Sequence, residues 1–159
     1  MKTKFTFLLS LTFLFLFSGS VYGDDFQDGV DAADRGDFKT AYKSFLPLAE
    51  QGNVTAQYNL GHMYEKGKGV PQDYKEAVRL YRLSAEQGDV DAQLKLGVSY
   101  VMGRGVPKDY ALAHMWWNLS GSNGNKEAAE NRDIVETKMT PQQIEKAQEM
   151  ARNWEPTKK

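Results

Sequence analysis

The residue types that most often carry catalytic or metal chemistry are sparse in this 159-residue chain. Cysteine is absent, which excludes thiolate nucleophiles, iron–sulfur clusters, cysteine-bound zinc and disulfides. The two histidines, His62 and His114, belong to no His-Glu-x-x-His or similar spacing. Glu65 follows His62 by three residues, but two potential ligands on one helix face do not make a site. We therefore predict no metal and no cofactor.

Carboxylates and glycine-rich loops are the remaining candidates for chemistry. The pair Glu127 and Glu130 is typical of a solvated helix surface, with no apolar setting that would raise a pKa. The loop Gly67-x-Gly69 lacks the lysine and hydroxyl of a phosphate-binding loop and does not follow a strand. No nucleophile is paired with a base in the sequence, so we predict no catalytic residue and a non-enzymatic protein.

Composition points to one ordinary globular domain. The chain has 41% hydrophobic and 26% charged residues, and 20 basic residues nearly balance 21 acidic ones. A net charge of -1 gives no global attraction to nucleic acid or to an anionic membrane surface. We predict that nucleic acid is not a partner.

The first 23 residues form a separate segment. Basic residues up to Lys4 precede an apolar run over 5–17, and a stretch rich in small residues follows up to Gly23. This order is typical of a secretory signal peptide, and the apolar run is shorter than the ~20 residues that span a bilayer. We expect cleavage before Asp24, a mature chain without an integral membrane segment, and a periplasmic or secreted location.

An internal repeat organises the rest of the chain. A shift of 36 residues places 49–84 on 85–120, and 19 of the 36 positions are identical. The same shift makes 24–48 a leading half repeat, while 121–159 keeps only a degenerate form of the pattern. A period between 20 and 50 residues indicates a stacked array, whose end units are expected to diverge because each has one neighbour.

Periodicity within each unit is helical. Ala56, Leu60 and Tyr64 recur at four-residue spacing in a first helix, and Asp73 precedes the apolar pattern of a second helix as an N-terminal cap would. Gly61 lies within the first helix, where glycine is tolerated if a partner helix crosses closely. The predicted fold class is all-α, an α-solenoid of antiparallel helix pairs.

The repeated residues carry a family resemblance. The pattern Ala-x-x-Gly-x-x-x-Ala-x-x-x-Leu-Gly-x-x-Tyr-x-x-Gly-x-Gly-Val-x-x-Asp-Tyr-x-x-Ala resembles the SEL-one-like repeat, a relative of the tetratricopeptide repeat. The resemblance implies a right-handed α-solenoid that serves as an adaptor, scaffold or regulatory surface in the bacterial envelope. It also implies an alternative, an envelope hydrolase, because some cysteine-rich exported relatives have been assigned β-lactam hydrolysis. This chain lacks their cysteines.

One face of the first helices is a candidate surface for a protein or peptide partner. Positions turned away from the packing stripe should line the concave side of the solenoid, and several of them are apolar. With a polar rim that includes Lys95, they would form a groove for an extended or helical peptide, unless they pack against neighbouring first helices instead. The predicted partner-binding residues are Tyr58, His62, Glu65, Leu94, Val98 and Val101.

Overall fold

A computed structural model describes residues 21–157, and within that range helices are the only regular secondary structure. The all-α prediction is thereby confirmed. Residues 1–20 of the predicted signal peptide lie outside the described residues, and the expected cleavage point after Gly23 falls in the first turn of the first helix. The helices are α1 (Val21–Asp34), α2 (Phe38–Glu50), α3 (Val54–Lys66), α4 (Tyr74–Ala85), α5 (Val90–Met102), α6 (Tyr110–Ser122), α7 (Lys126–Glu136) and α8 (Pro141–Arg152).

Capping side chains start the second helices where the sequence predicts. The Asp73 carboxylate accepts hydrogen bonds from the backbone N–H groups of Lys75 and Glu76, at 2.9 and 3.1 Å, and so begins α4. Asp109 begins α6 by accepting from the N–H of Leu112 at 2.9 Å. These bonds satisfy donors that the first helical turn leaves free.

The mid-helix glycines allow close helix packing. A Cβ atom added to Gly61 would lie 2.8 Å from the ring of Tyr81, and one added to Gly97 would lie 2.3 Å from Nε1 of Trp117. Neither distance is possible for real atoms, so only glycine admits the aromatic ring of the following helix. The predicted close crossing is confirmed, and it explains why helix-weakening residues occupy these positions.

Buried polar side chains connect neighbouring helices by hydrogen bonds that recur with the 36-residue period. The amide nitrogen of Gln93 donates to the carbonyl oxygen of Ala85 at 3.2 Å, as Gln57 does in the preceding unit. The Ser120 hydroxyl donates to the carbonyl oxygen of Val90 at 2.8 Å, an interaction that also repeats one unit earlier. The backbone carbonyl oxygens at these positions thus accept a hydrogen bond from a side chain of the following helix.

The last helix closes the array. Thr140 and Gln143 form a capping box at its start, and Pro141 occupies its first turn. α8 packs on α6, and Trp154 meets Trp116 edge to face with ring centres 6.2 Å apart. Trp154 therefore attaches the C-terminal segment to the array.

Candidate partner-binding surface

The first helix of each pair, α1, α3, α5 and α7, contributes to one side of the array, here called the first-helix face. Three clefts lie on it, between α1 and α3, between α3 and α5, and between α5 and α7. Their floors are aromatic residues of second helices spaced by 36 positions: Phe45, Tyr81 and Trp117. The cleft volumes are about 250, 20 and 200 Å³ in chain order. Equivalent positions therefore produce very different cavities.

Polar contacts fill the α3–α5 cleft. The Tyr81 hydroxyl donates to Oε2 of Glu65 at 2.6 Å, and Nζ of Lys95 lies 3.6 Å from the same oxygen. Lys66 adds a contact of 2.9 Å to Oε1. The Glu65 carboxylate thus connects α3 to both α4 and α5.

The charge state of Glu65 suits this network. Burial by itself would raise the pKa of the Glu65 carboxyl. Hydrogen bonds from Tyr81 and Lys66, with the charge of Lys95, outweigh burial and hold that pKa below its usual value. Burial, and next the bond to Glu65, raise the pKa of Tyr81, so its phenol stays a donor. The cleft is closed by a carboxylate that is ionised at neutral pH.

The α5–α7 cleft is open and largely apolar. Its rim carries Met102 and Ile134, both 59% exposed and the only exposed large hydrophobic side chains within residues 25–157. The floor is rigid because Nε1 of Trp117 donates to the carbonyl oxygen of Leu94 at 3.1 Å. The full lining consists of Val98, Val101, Met102, Trp117, Asn131, Ile134, Val135 and Lys138.

Two charged residues of the closed cleft are replaced in the open one. Val101 stands 36 residues after Glu65, and Asn131 stands 36 residues after Lys95. The ion pair that closes the α3–α5 cleft therefore has no counterpart in the α5–α7 cleft.

The α1–α3 cleft has mixed character. His62 and Asn59 line it together with the ring of Phe45, and charged residues Asp34 and Lys68 lie at its edge. Burial, and next the positive charge of Lys95, lower the pKa of His62, so its imidazole is neutral at pH 7.

The structure distributes the six predicted partner-binding residues over all three clefts. Val98 and Val101 line the open α5–α7 cleft, whereas His62 lines the α1–α3 cleft and Glu65 is engaged in the closed one. The two others, Tyr58 and Leu94, line none of the three clefts and, like Val98 and Val101, pack partly against the core; the ring centre of Tyr58 lies 5.8 Å from that of Tyr81. The role of the six residues in binding stays a prediction.

Sequence reasoning missed six of the eight residues that line the open cleft. The predicted partner-binding residues do not include Met102, Trp117, Asn131, Ile134, Val135 and Lys138. A signal for one of them exists, because the 36-residue step places Ile134 on Val98, itself a predicted position. The degenerate last unit hides this relation, since few of its other residues match.

A polar cleft of about 350 Å³ lies behind α7, between α6 and α8. Nε2 of the fully buried His114 is 2.6 Å from Oε1 of Glu136, and its Nδ1 has no hydrogen-bond partner among the described residues. This pair takes the place of Tyr42 and Tyr64, whose hydroxyls are 3.2 Å apart two units earlier. The remaining lining residues are Asn118, Arg132, Asp133, Gln148 and Arg152.

The polar cleft places no hydroxyl or thiol nucleophile beside His114. None of its lining residues supplies a hydroxyl or thiol that His114 could activate. No group of three or more His, Asp or Glu side chains suited to a metal occurs within the described part of the chain. The His114–Glu136 contact joins α6 to α7.

Comparison with known proteins identifies the repeat. Residues 54–89 and 90–125 each match the Sel1 repeat family model. This chain contains two Sel1 repeats. The Sel1 repeats keep the 36-residue period found in the sequence, with boundaries five residues later than those predicted. No curated protein gives a significant sequence match.

Two solved structures share the Sel1-repeat architecture. One is a protective antigen present in uropathogenic Escherichia coli strains that displays an SLR fold, with 32% identity, a TM-score of 0.80 and 85% of this chain covered. The other is a Sel1 repeat protein from Oxalobacter formigenes, with 25% identity, a TM-score of 0.68 and 79% of this chain covered. The match spans 30% of the first protein and 55% of the second, so this chain covers less than two thirds of either protein.

Proposed function

We propose that this protein is a non-catalytic interaction module of the bacterial cell envelope that binds a segment of another protein on its first-helix face, the concave side of the solenoid. Sel1 repeat proteins are generally protein-interaction modules. The function of this chain would then be that of an adaptor, scaffold or regulator. The identity of its partner is open.

The observation that carries the proposal is the α5–α7 cleft. The exposed Met102 and Ile134 side chains flank a concave apolar surface with an aromatic floor. Soluble proteins seldom leave large apolar side chains clustered around a cavity without a use for them, and aromatic or methionine-rich depressions are typical of protein interfaces. This makes the C-terminal half of the first-helix face the best candidate for partner contact.

The envelope location rests on the first 23 residues. A basic start, an apolar run and a small-residue end support export through a signal peptide. None of the helices within residues 21–157 is long and apolar enough to cross a membrane. N-terminal sequencing of the exported protein should find Asp24 at or near the start, and a product that keeps Met1 in the membrane fraction would contradict this part of the proposal.

Partner capture tests the binding face. The doubly substituted protein Met102→Asp, Ile134→Asp should fold normally, because both side chains are already exposed, yet lose partners that the unsubstituted protein retains from an envelope extract. Leu94 is less suitable for this test because it packs on the core.

A control of equal charge is available on other helices. Thr55→Asp with Gln142→Asp also adds two negative charges at exposed positions, and Asp91 already occupies the place of Thr55 in the next unit. The control should capture partners normally. Equal capture by both variants, with equal melting temperatures and helicity, would place the interface elsewhere.

A further inference from the structure

We infer that the α5–α7 cleft takes an aromatic side chain from a partner peptide in which an acidic residue lies close to that aromatic residue. The inference deepens the proposed function and rests on it. The size, the charge and the aromatic floor of the cleft support it.

The size of the cleft suits an aromatic ring. Its volume is about 200 Å³, and an apolar protein cavity of ~150 Å³ is large enough to bind benzene. Val98 and Val135 provide aliphatic walls, and Trp117 provides a floor against which an aromatic edge or face can pack. Because a hydrogen bond to the Leu94 carbonyl holds Trp117 in place, the ring of the ligand enters a preformed site.

The charge of the cleft suits an acidic neighbour. Lys138 is the one charged side chain of the lining, it is exposed, and it forms no ion pair with any residue in 21–157. A second cation, Lys108, lies beside Tyr110, with its Nζ 5.0 Å from the centre of the Tyr110 ring. A hydrogen bond from Lys108 and the charges of Lys108 and Lys138 lower the pKa of Tyr110, which agrees with a positive potential at this end of α7. A carboxylate beside the bound ring would meet that potential.

A second copy of this chain fits the cleft poorly. Within residues 25–157 the exposed large hydrophobic side chains are those of the rim itself, Met102 and Ile134, and no aromatic side chain of that range is as exposed as these two. A two-fold contact through this cleft would also bring together the Lys138 side chains of both copies, which repel each other. A separate peptide with its own aromatic residue and carboxylate avoids both problems.

Selection from a random twelve-residue peptide display library tests the inference. The bait is the protein purified from expressing cells, and enriched peptides are sequenced and then measured singly by fluorescence anisotropy. We expect enriched peptides to combine a phenylalanine, tyrosine or tryptophan with a nearby aspartate or glutamate. Replacement of the aromatic residue by alanine should abolish binding of a selected peptide, and replacement of the acid by its amide should weaken it about fivefold, the scale of one partly exposed ion pair.

Variants of the protein distinguish this cleft from other surfaces. Lys138→Glu should reverse the preference of the selection from acidic to basic residues, whereas the matched Lys146→Glu on α8 should leave it unchanged. Selected peptides without the aromatic and acidic pattern, or insensitive to Lys138→Glu, would overturn the inference. The proposed function fails separately, by unchanged capture with the Met102→Asp, Ile134→Asp protein. Concentration-dependent dimers that compete with the peptides would show that a second copy covers the cleft, and would also overturn the inference.

Discussion

The α3–α5 cleft and the α5–α7 cleft use equivalent repeat positions, but one is filled and the other is open. In the first, Glu65 reaches both Lys95 and the Tyr81 hydroxyl, and about 20 Å³ of space remains. In the second, Val101 and Asn131 stand in the places of the two charged residues, and about 200 Å³ remains above Trp117. Replacement of a few residues at equivalent repeat positions thus distinguishes a filled cleft from one that is open to solvent.

The two clefts separate the scaffold from the surface. Positions that hold the helix pairs together, such as Leu60 and Leu96, are unchanged between the units and fully or almost fully buried in both. Positions that point between neighbouring first helices vary in charge and volume. A repeat protein can therefore alter one cleft with little effect on the next, since each unit contacts its neighbours only.

Trp117→Ala should have the largest effect on the open cleft. Trp117 is buried beneath α5 and fills the space beside Gly97, so its truncation should lower the free energy of unfolding by about 3–5 kcal/mol. Urea unfolding followed by circular dichroism measures this loss. Trp117→Tyr, which copies the Tyr81 of the closed cleft, should cost clearly less. A loss below about 1 kcal/mol for Trp117→Ala would mean that the floor does not support the fold.

Glu65→Gln should weaken the closed cleft. The amide keeps the size of the side chain but removes the charge that Lys95 and the Tyr81 hydroxyl share. The free energy of unfolding should therefore fall by about 1–2 kcal/mol at pH 7. This loss is at the lower end for a hydrogen bond to a charged group because the site is partly exposed.

The same variant gives a pH test. The pKa of Glu65 is lower in the folded than in the unfolded chain, so its stabilisation is complete above the unfolded pKa and is lost as pH falls through the folded pKa, below 4.5. The stability difference between the unsubstituted protein and Glu65→Gln should therefore shrink between pH 5 and the acid range. A difference that stays constant with pH would contradict the ionised bridge.

Transfer of the ion pair should close the open cleft at small cost. Val101→Glu with Asn131→Lys places the charges of the closed cleft in the equivalent positions, and the free energy of unfolding should change by no more than about 1 kcal/mol. A crystal structure of the double variant should show a salt bridge and a smaller cavity, and binding of the selected peptides should be lost. Val101→Glu alone is the control, and it should be less stable than the pair.

Glu76→Gln should have the smallest effect on the free energy of unfolding, and it shows how much an ion pair outside the clefts contributes. Glu76 and Arg79 lie one turn apart on the surface of α4, with 2.6 Å between Oε1 and an Arg79 nitrogen, outside both clefts. Exposed pairs of this kind contribute about 0.3–0.5 kcal/mol. Thermal melting at low and high salt should barely separate this variant from the unsubstituted protein, and a loss as large as that of Glu65→Gln would remove the distinction between a cleft ion pair and a surface one.

Much of the fold could be predicted from local pattern. The 36-residue period, the aspartate caps before α4 and α6 and the role of Gly61 and Gly97 all follow from residue types at fixed spacing, and the structure confirms them. The sequence pattern identifies Gly67 only as a loop residue, whereas in the structure Gly67 and Gly103 end α3 and α5 with φ near 65°. Glycine is favoured at both positions because the backbone there is left-handed. The residue at which each helix ends depends on backbone geometry that the sequence does not show.

The candidate site was less accessible to sequence reasoning. Helical periodicity predicts one shared face for Val98, Val101, Tyr58 and Leu94, and all four pack partly on the core, but only the two valines line the open cleft. The degree of burial depends on how far the neighbouring helix stands away, and a helical periodicity carries no information about that distance.

By itself the sequence determined the repeat, the helices and the residues that let helix pairs approach, because these depend on contacts within one unit or between copies of it at one spacing. Only the tertiary structure decided that Glu65 bonds across to Tyr81 and Lys95, and that His114 meets Glu136. Such contacts join residues 16 to 30 positions apart on different helices, and their formation depends on distances of a few ångströms between side-chain tips. The same distances leave the space above Trp117 empty, because valine and asparagine are too short or too apolar to bridge it.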